Sequence, residues 1–174
     1  MPSNRKHRSL GIVAVLALTG VAAKAGAAGP PRVTPSGLEV PRYVSLKYET
    51  VNARNGPDEA HRLLWVYRAK GLPVQVVAET REWRRVCDPE GGLAWVHKRT
   101  TDGRRTAMRI QSTPLALLAS PRDGAKISAW LRGRSTANLD RCEKGWCRLK
   151  AEGSAGWARE SQIWGAAPEP QCRR

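Results

Sequence analysis

Tryptophan and arginine side chains alternate with apolar ones in two short segments, a pattern suited to ligand binding. If Val86 points into a core, strand alternation places Trp83 and Arg85 on the opposite, outer face. The same rule, with Val96 inward, places Trp95 outward. Aromatic rings beside cationic groups can stack on sugar rings or hold an anionic peptide, so we predict a ligand-binding surface here.

The same arrangement occurs again about 60 residues later in the chain. With Leu149 inward, the outward side chains would be Trp146, Arg148, Trp157 and Arg159. The alternative is that these rings pack between two modules or beneath a long loop, because tryptophan is large and usually mostly buried. Trp65 and Trp130 stand in apolar runs and are predicted to be core residues.

Catalytic patterns are not evident in the sequence. Cys87 has His97 nearby, but a cysteine nucleophile also needs an orienting group, and Cys87 stands in a strand–turn segment. There is no G-x-S-x-G, H-E-x-x-H or phosphate-binding loop, and Asp88 and Glu90 are typical turn formers. We therefore predict a protein that is not an enzyme and that has no cofactor and no metal.

The chain has four cysteines, and their spacing favours disulfides over a metal site. Cys142 and Cys147 flank a predicted hairpin turn, so they would face each other within bridging distance. For Cys87 and Cys172, only the even count suggests a bridge, which would tie the C-terminal tail to the first half of the chain. The sequence leaves their pairing open. A C-x4-C pair without a nearby histidine is a poor zinc site.

The N-terminus and the net charge indicate an exported, basic protein. Residues 1–28 have a basic start, a short apolar run and an A-x-A exit, as in a secretory signal peptide. The alternative, a membrane anchor, is disfavoured because Lys24 cuts the apolar run short. The rest of the chain keeps a net charge of +11. Such a charge favours anionic partners. Export argues against nucleic acid, and a generally arginine-rich surface is the alternative explanation.

An internal repeat organises the chain into two modules. Gly56-Pro57 corresponds to Ser120-Pro121, and Trp83 and Trp95 correspond to Trp146 and Trp157. We predict a Pro/Gly-rich linker at 29–42, modules at 43–103 and 104–165, and a tail at 166–174.

Short strands separated by turn residues predict an all-β fold of two small barrels or sandwiches. The predicted strands after the turn-rich segment NARNGPDEA are 63–67, 72–79, 83–87, 93–97, 115–119, 126–131, 135–142, 146–150 and 155–159.

Several of these motifs resemble those of bacterial SH3-like (SH3b) domains. In the first module they are VNARNGP at 51–57, WRRV at 83–86 and AWV at 94–96; in the second, GWCR at 145–148 and AGWA at 155–158. The arrangement is similar to exported tandem SH3-like proteins of Gram-negative bacteria. The resemblance implies two small, strongly bent β-barrels and a role in cell-wall recognition.

The resemblance also implies a ligand groove near Tyr48, Asn52 and Arg54. Asn52 could instead bond the backbone of a turn, and Arg54 could pair with Asp58 or Glu59. In the second module the N-x-R-x-G-P motif has become ALLASP at 116–121, so a site of this kind would be lost there.

The leading hypothesis is a periplasmic or secreted binding protein for peptidoglycan or its stem peptides. The predicted ligand-binding residues are Tyr48, Asn52, Arg54, Trp83, Arg85 and Trp95. A second hypothesis is an adaptor that docks an envelope enzyme or complex. An apolar tryptophan patch with arginine only at its rim would favour the adaptor, and arginines within the groove would favour the wall ligand. Binding to anionic lipid or nucleic acid through charge alone is a weaker third possibility.

Overall fold

The structure is a computed structural model that describes residues 32–172. The predicted signal peptide, 1–28, lies outside the described residues. Fifteen strands and two 3-10 turns occur in the described part of the chain. No helix within residues 32–172 is long and apolar enough to cross a membrane. The strands are β1 Arg32–Val33, β2 Glu39–Val40, β3 Arg42–Leu46, β4 Val51–Arg54, β5 Leu63–Tyr67, β6 Pro73–Glu79, β7 Trp83–Cys87, β8 Leu93–His97, β9 Thr101–Asp102, β10 Thr106–Met108, β11 Leu115–Leu118, β12 Ile127–Leu131, β13 Thr136–Glu143, β14 Trp146–Ala151 and β15 Ser154–Arg159.

The nine predicted strands are confirmed to within one residue at each end, and the all-β fold with them. Strand β4 was not predicted, because Asn52 and the Asn-Gly-Pro-Asp run that follows it favour turns. Its inward residues, Val51 and Ala53, are at most 1% exposed, and their burial forms the strand.

Two antiparallel sheets, one for each repeat, form the body of the protein. The first has the order β5-β4-β8-β7-β6-β3-β9, and the second has the order β10-β13-β14-β15-β11-β12. Both have a bulge near the end of the first hairpin, at Ala53/Arg54 and at Leu117/Leu118, and another at Val76/Ala78 and at Leu139/Arg141. Because bulges bend and twist a sheet, each sheet curls around its own core. The sheets stay open at their edge strands instead of closing into five-stranded barrels.

The two modules pack directly on each other. Trp164, after the second sheet, donates from Nε1 to the carbonyl of Pro73 at 3.2 Å, and its ring meets Tyr43 edge-on with centroids 5.8 Å apart. The Thr106 hydroxyl donates to the carbonyl of Gly71 at 2.7 Å. The first and second modules therefore share a buried, hydrogen-bonded boundary.

The C-terminal segment passes from the second core at Ala166 onto the first module at residues 169–172. A disulfide joins Cys172 to Cys87, whose Cα atoms are 5.7 Å apart. The fully buried Gln75 side chain donates to the carbonyl of Glu169 and accepts from the amide of Gln171, at 2.8 and 2.9 Å. The tie between the tail and the first module is confirmed. Cys87 is 0% exposed.

The second disulfide, Cys142–Cys147, is also confirmed. The two residues face each other on β13 and β14, with Cα atoms 4.0 Å apart. The turn between these strands has positive φ at Lys144 and Gly145, as two-residue hairpin turns require.

Removing each disulfide should destabilise the protein to a different extent. The loop closed by Cys87–Cys172 spans 85 residues and that of Cys142–Cys147 spans 5. We expect the double Cys→Ala variant of the first pair to lose about 4 kcal/mol of unfolding free energy and that of the second about 2 kcal/mol. Urea denaturation measures both. The two variants can be compared because each removes one fully buried cysteine, Cys87 or Cys147. Equal losses would contradict the expectation.

Part of the predicted extended linker, 29–42, instead forms a β-hairpin, in which β1 pairs with β2. The hairpin is anchored by Glu79, whose side chain is 2% exposed. This carboxylate accepts hydrogen bonds from the Thr34 hydroxyl, the Ser36 amide and the Arg42 guanidinium. Burial alone would raise the pKa of Glu79, but the hydrogen bonds from Ser36, Thr34 and Arg42 outweigh it and lower the pKa to about 2.

Glu79→Gln should destabilise the fold by about 2 kcal/mol at pH 7, because it removes a buried charge-assisted network. Since folding lowers the pKa from 4.5 to about 2, the carboxylate stabilises the protein above about pH 4.5, and this contribution is lost as the pH falls towards 2. The difference between wild type and variant should shrink over that range in chemical denaturation. Glu39→Gln, an exposed change on the same hairpin, is the control. A difference independent of pH would contradict the assignment.

Candidate functional site

Three predicted site residues form one row across the outer face of the first sheet. Trp95 on β8 lies directly opposite Arg85 on β7 and opposite Arg54 on β4. Opposed residues of antiparallel strands lie on the same face, so the indole has a guanidinium-bearing residue on each side. The side chains are half-buried, whereas the neighbouring Val96 is fully buried on the other face. We call Arg54, Trp95 and Arg85 the Trp95 row.

Asn52 lies beside the row, exposed and two residues before Arg54 on the same face of β4. It is therefore a strand residue and not the turn residue of the alternative interpretation. The Arg54 guanidinium donates to the carbonyl of His61 at 2.8 Å, so the expected alternative pairing with Asp58 or Glu59 is replaced by a backbone contact. A Cβ at Gly56 would lie 2.2 Å from the exposed His61 ring, so a larger residue there would displace that ring.

Trp83 does not have the exposed position predicted for it. It lies opposite His97, and the two rings are 5.2 Å apart at their centroids. Trp83 is on the outer face of the sheet, as strand alternation requires. Only 9% of it is exposed, because the imidazole covers much of the indole. Trp83 thus packs beneath its cross-strand neighbour His97 instead of meeting solvent. The alternative of rings packed between the modules or under a long loop predicted burial, but not this partner.

The surroundings of His97 disfavour the protonated form of the imidazole that covers Trp83. Burial lowers the pKa of His97, and the positive charge of Arg99 lowers it further. Arg99 donates to the ring from its backbone amide, with N and Nδ1 3.2 Å apart.

We expect the His97 ring to titrate below its usual pKa of 6.5 when followed by NMR. Arg99→Gln should raise the midpoint towards 6.5, since it removes a positive charge that opposes protonation. Arg122→Gln, an exposed change in the second module, serves as the control. A midpoint that Arg99→Gln leaves unchanged would show that this charge does not act on the ring.

The corresponding rings of the second module are covered by its own arginines. Arg159 lies over Trp146 with its Cζ 4.1 Å from the ring centroid, and Arg141 lies over Trp157 at 5.0 Å. Both tryptophans are 6% exposed. The prediction puts both tryptophans on the correct, outer face of the sheet. It is wrong about their exposure, because both are buried.

One difference between the two modules lies beside the second tryptophan of each. Arg141 lies opposite Arg148, and the first module has Ala78 opposite Arg85 at the equivalent register. Ala78 has no guanidinium to cover Trp95. Among the described residues, the cation–π contacts include none to Trp95. Ala78 and Arg141 are 63 residues apart, so the sequence repeat already relates them. This relation became informative only when the structure had placed Trp95 and Trp157.

Acidic residues hold the covering arginines of the second module in place. Asp140 accepts from Arg148 at 2.8 Å and from Lys150 at 3.1 Å, and it lies 3.5 Å from Arg141. The hydrogen bonds from Arg148 and Lys150 lower the pKa of Asp140. Asp123 pairs with Arg159. Each covering arginine of the second module therefore contacts a carboxylate, and Asp140 is shared by three basic side chains.

Tyr48 is not part of the Trp95 row. It is 46% exposed and lines a cleft between the two modules, together with Trp130. The prediction that Trp130 is a core residue is wrong: Trp130 is 61% exposed because Leu131, its neighbour on β12, is the inward residue. Trp65 packs against the first core as predicted.

The titratable groups of the described residues include no cluster of three or more His, Cys, Asp or Glu positioned to hold a metal. All four cysteines are in disulfides, which removes Cys87 as a nucleophile. Asp88 is bound by the amides of Glu90 and Gly92 and by the Tyr67 hydroxyl, a turn-forming role as predicted.

The sequence profile described as Bacterial SH3 domain matches the chain twice, at residues 47–103 and 111–165. The chain therefore belongs to the bacterial SH3 domain family and has two such domains in tandem, which confirms the predicted fold class and resemblance.

Among solved structures, NlpC1 from Trichomonas vaginalis is similar at 14% identity and a TM-score of 0.33, covering 79% of this chain and 50% of that chain. NlpC2 from the same organism is similar at 14% identity and a TM-score of 0.32, covering 71% of this chain and 48% of that chain. The chain thus spans about half the length of these structures. None of the curated proteins matches it.

Proposed function

We propose that this protein is a non-enzymatic binding protein of the periplasm or cell exterior that recognises peptidoglycan through its stem peptides. Membership of the bacterial SH3 domain family supports a cell-wall-related binding role. Two disulfides are consistent with a protein that folds outside the reducing cytoplasm.

The observation that supports the proposal most directly is the open Trp95 row. Trp95 lies between two arginines, whereas Arg141 covers the equivalent ring of the second module. A guanidinium binds a carboxylate through two parallel hydrogen bonds, and an indole face packs against apolar chain. A stem peptide supplies carboxylates along a short chain of small residues. The arginines of the Trp95 row therefore suit the carboxylates of a stem peptide, and the indole suits its small residues.

The placement of the arginines favours a wall ligand over a protein adaptor. Arg54 and Arg85 are immediate neighbours of Trp95, not members of a distant rim, and Asn52 adds a hydrogen-bonding group on the same face. An adaptor surface would need a broad apolar patch. Trp83, which could have enlarged such a patch, lies beneath His97.

The first test is retention of the chain from residue 29 onward on purified insoluble peptidoglycan. Trp95→Ala and Arg54→Gln should each weaken binding about tenfold, because each removes one side of the ligand contact. Ile127→Ala, a change of an equally exposed apolar residue in the second module, is the matched control. Retention that vanishes with salt in all variants alike would exclude a specific wall site. Absence of retention would redirect the search to a protein partner.

A substitution that copies the second module into the first gives a sharper test. Ala78→Arg places a guanidinium where Arg141 covers Trp157, so it should cover Trp95 and reduce retention to the level of Trp95→Ala. The variant adds positive charge, so nonspecific attraction to an anionic wall would increase retention instead. Increased retention would contradict the proposed role of the open ring.

A further inference from the structure

We propose that the cleft between the two modules is a second binding site, which accepts an acidic polysaccharide chain. The cleft has a volume of about 1050 Å³. Its lining includes Tyr48 and Trp130 but none of the Trp95 row, so this site is independent of the function proposed above.

The cleft exists because the second sheet does not close. Strand β12 is an edge of that sheet, and β13 lies four strands away in its order, paired with β10 and β14. Residues of both β12 and β13 line the cleft, and the end of β3 with Lys47 and Tyr48 forms a wall from the first module. An opening bordered by both modules is long enough for more than one sugar unit, since its volume is at the upper end of small-molecule sites.

Two aromatic rings in this cleft face solvent. Trp130 is 61% exposed and Tyr48 is 46% exposed, although burying an aromatic side chain stabilises a fold. The equivalent of Trp130 in the first module is Val66, which lies opposite Asn52 as Trp130 lies opposite Ala116. The fold therefore does not need a large ring at this position. The C–H face of a sugar ring packs well against an exposed indole.

The charges of the cleft indicate an acidic ligand. Its basic residues are Lys47, Lys70, Arg104, Arg132 and Lys150, and its acidic residues are Asp102 and Glu152. Glu152 pairs with Arg132 at 3.0 Å and Asp102 with Arg104 at 3.8 Å. Lys47 and Lys70 make no salt bridge within residues 32–172. Lys47 lies over the Tyr48 ring, with Nζ 5.4 Å from the ring centroid. Lys70 can bind a ligand carboxylate without breaking a salt bridge, and Lys47 adds positive charge beside Tyr48.

The remaining lining favours a polysaccharide over a peptide. Hydroxyl and amide side chains of Ser135, Thr136, Asn138 and Ser154 line the cleft, which is more polar than apolar. Sugar hydroxyls can bond to such groups all along a chain. A bound peptide would instead need apolar pockets for alternate side chains. Two flat rings among polar groups provide stacking surfaces without such pockets.

The proposal is tested by calorimetric titration with a polygalacturonate oligomer, a chain of uronic acids, and with a neutral maltooligosaccharide of equal length. The wild-type protein should bind the acidic chain and bind the neutral chain at least tenfold more weakly. Trp130→Ala should weaken binding of the acidic chain about tenfold, and Lys70→Gln should weaken it and reduce its salt dependence. Ile127→Ala, an exposed change on the same strand outside the cleft, should leave binding unchanged.

Other outcomes would overturn the proposal. If the protein does not bind polygalacturonate at low salt, or if Trp130→Ala binds it as wild type does, the cleft is not the site. If polyglutamate binds as tightly, with the same affinity in Trp130→Ala, charge alone accounts for binding. Trp95→Ala separates the two sites, because it should impair peptidoglycan retention and leave polygalacturonate binding intact.

Discussion

The pleat of the first sheet is the constraint on which the candidate site depends. Ala53, Val86 and Val96 are fully buried on three neighbouring strands. Because successive side chains point to opposite faces, burying these three fixes the outward direction of Arg54, Arg85 and Trp95. A slip of one residue would put the indole into the core and expose valine. The core therefore orients the Trp95 row without any interaction made by the row itself.

The two modules show how one backbone supports two different surfaces. Strand pairing and both bulges recur at equivalent positions, so each module places two tryptophans on its outer face. In the second module Arg159 and Arg141 cover these rings, and Asp123 and Asp140 hold the arginines. In the first module Ala78 leaves Trp95 accessible between Arg54 and Arg85. Differences at two strand positions, Ala78 for Arg141 and Arg54 for Leu118, thus separate a candidate ligand surface from a self-contained one.

The boundary between the modules has consequences beyond stability. Trp164 bonds to Pro73 and contacts Tyr43, and the Cys87–Cys172 bridge holds the C-terminus on the first module. These contacts fix the relative position of two open sheets. Tyr48 from one and Trp130 from the other then face the same cleft.

The sequence by itself determined the all-β fold, the repeat, nine of the strands and the short disulfide, because alternation, turn residues and hairpin spacing are local. It also placed Trp95, Arg85 and Arg54 on a candidate surface. Exposure was decided only by the tertiary structure. Strand parity gives the face of a side chain but not what covers that face, so Trp83 and Trp157 are buried under His97 and Arg141. Likewise, Trp130 lies in an apolar run but is on the outer face of an edge strand, and only the packing of the modules brings it to the same cleft as Tyr48.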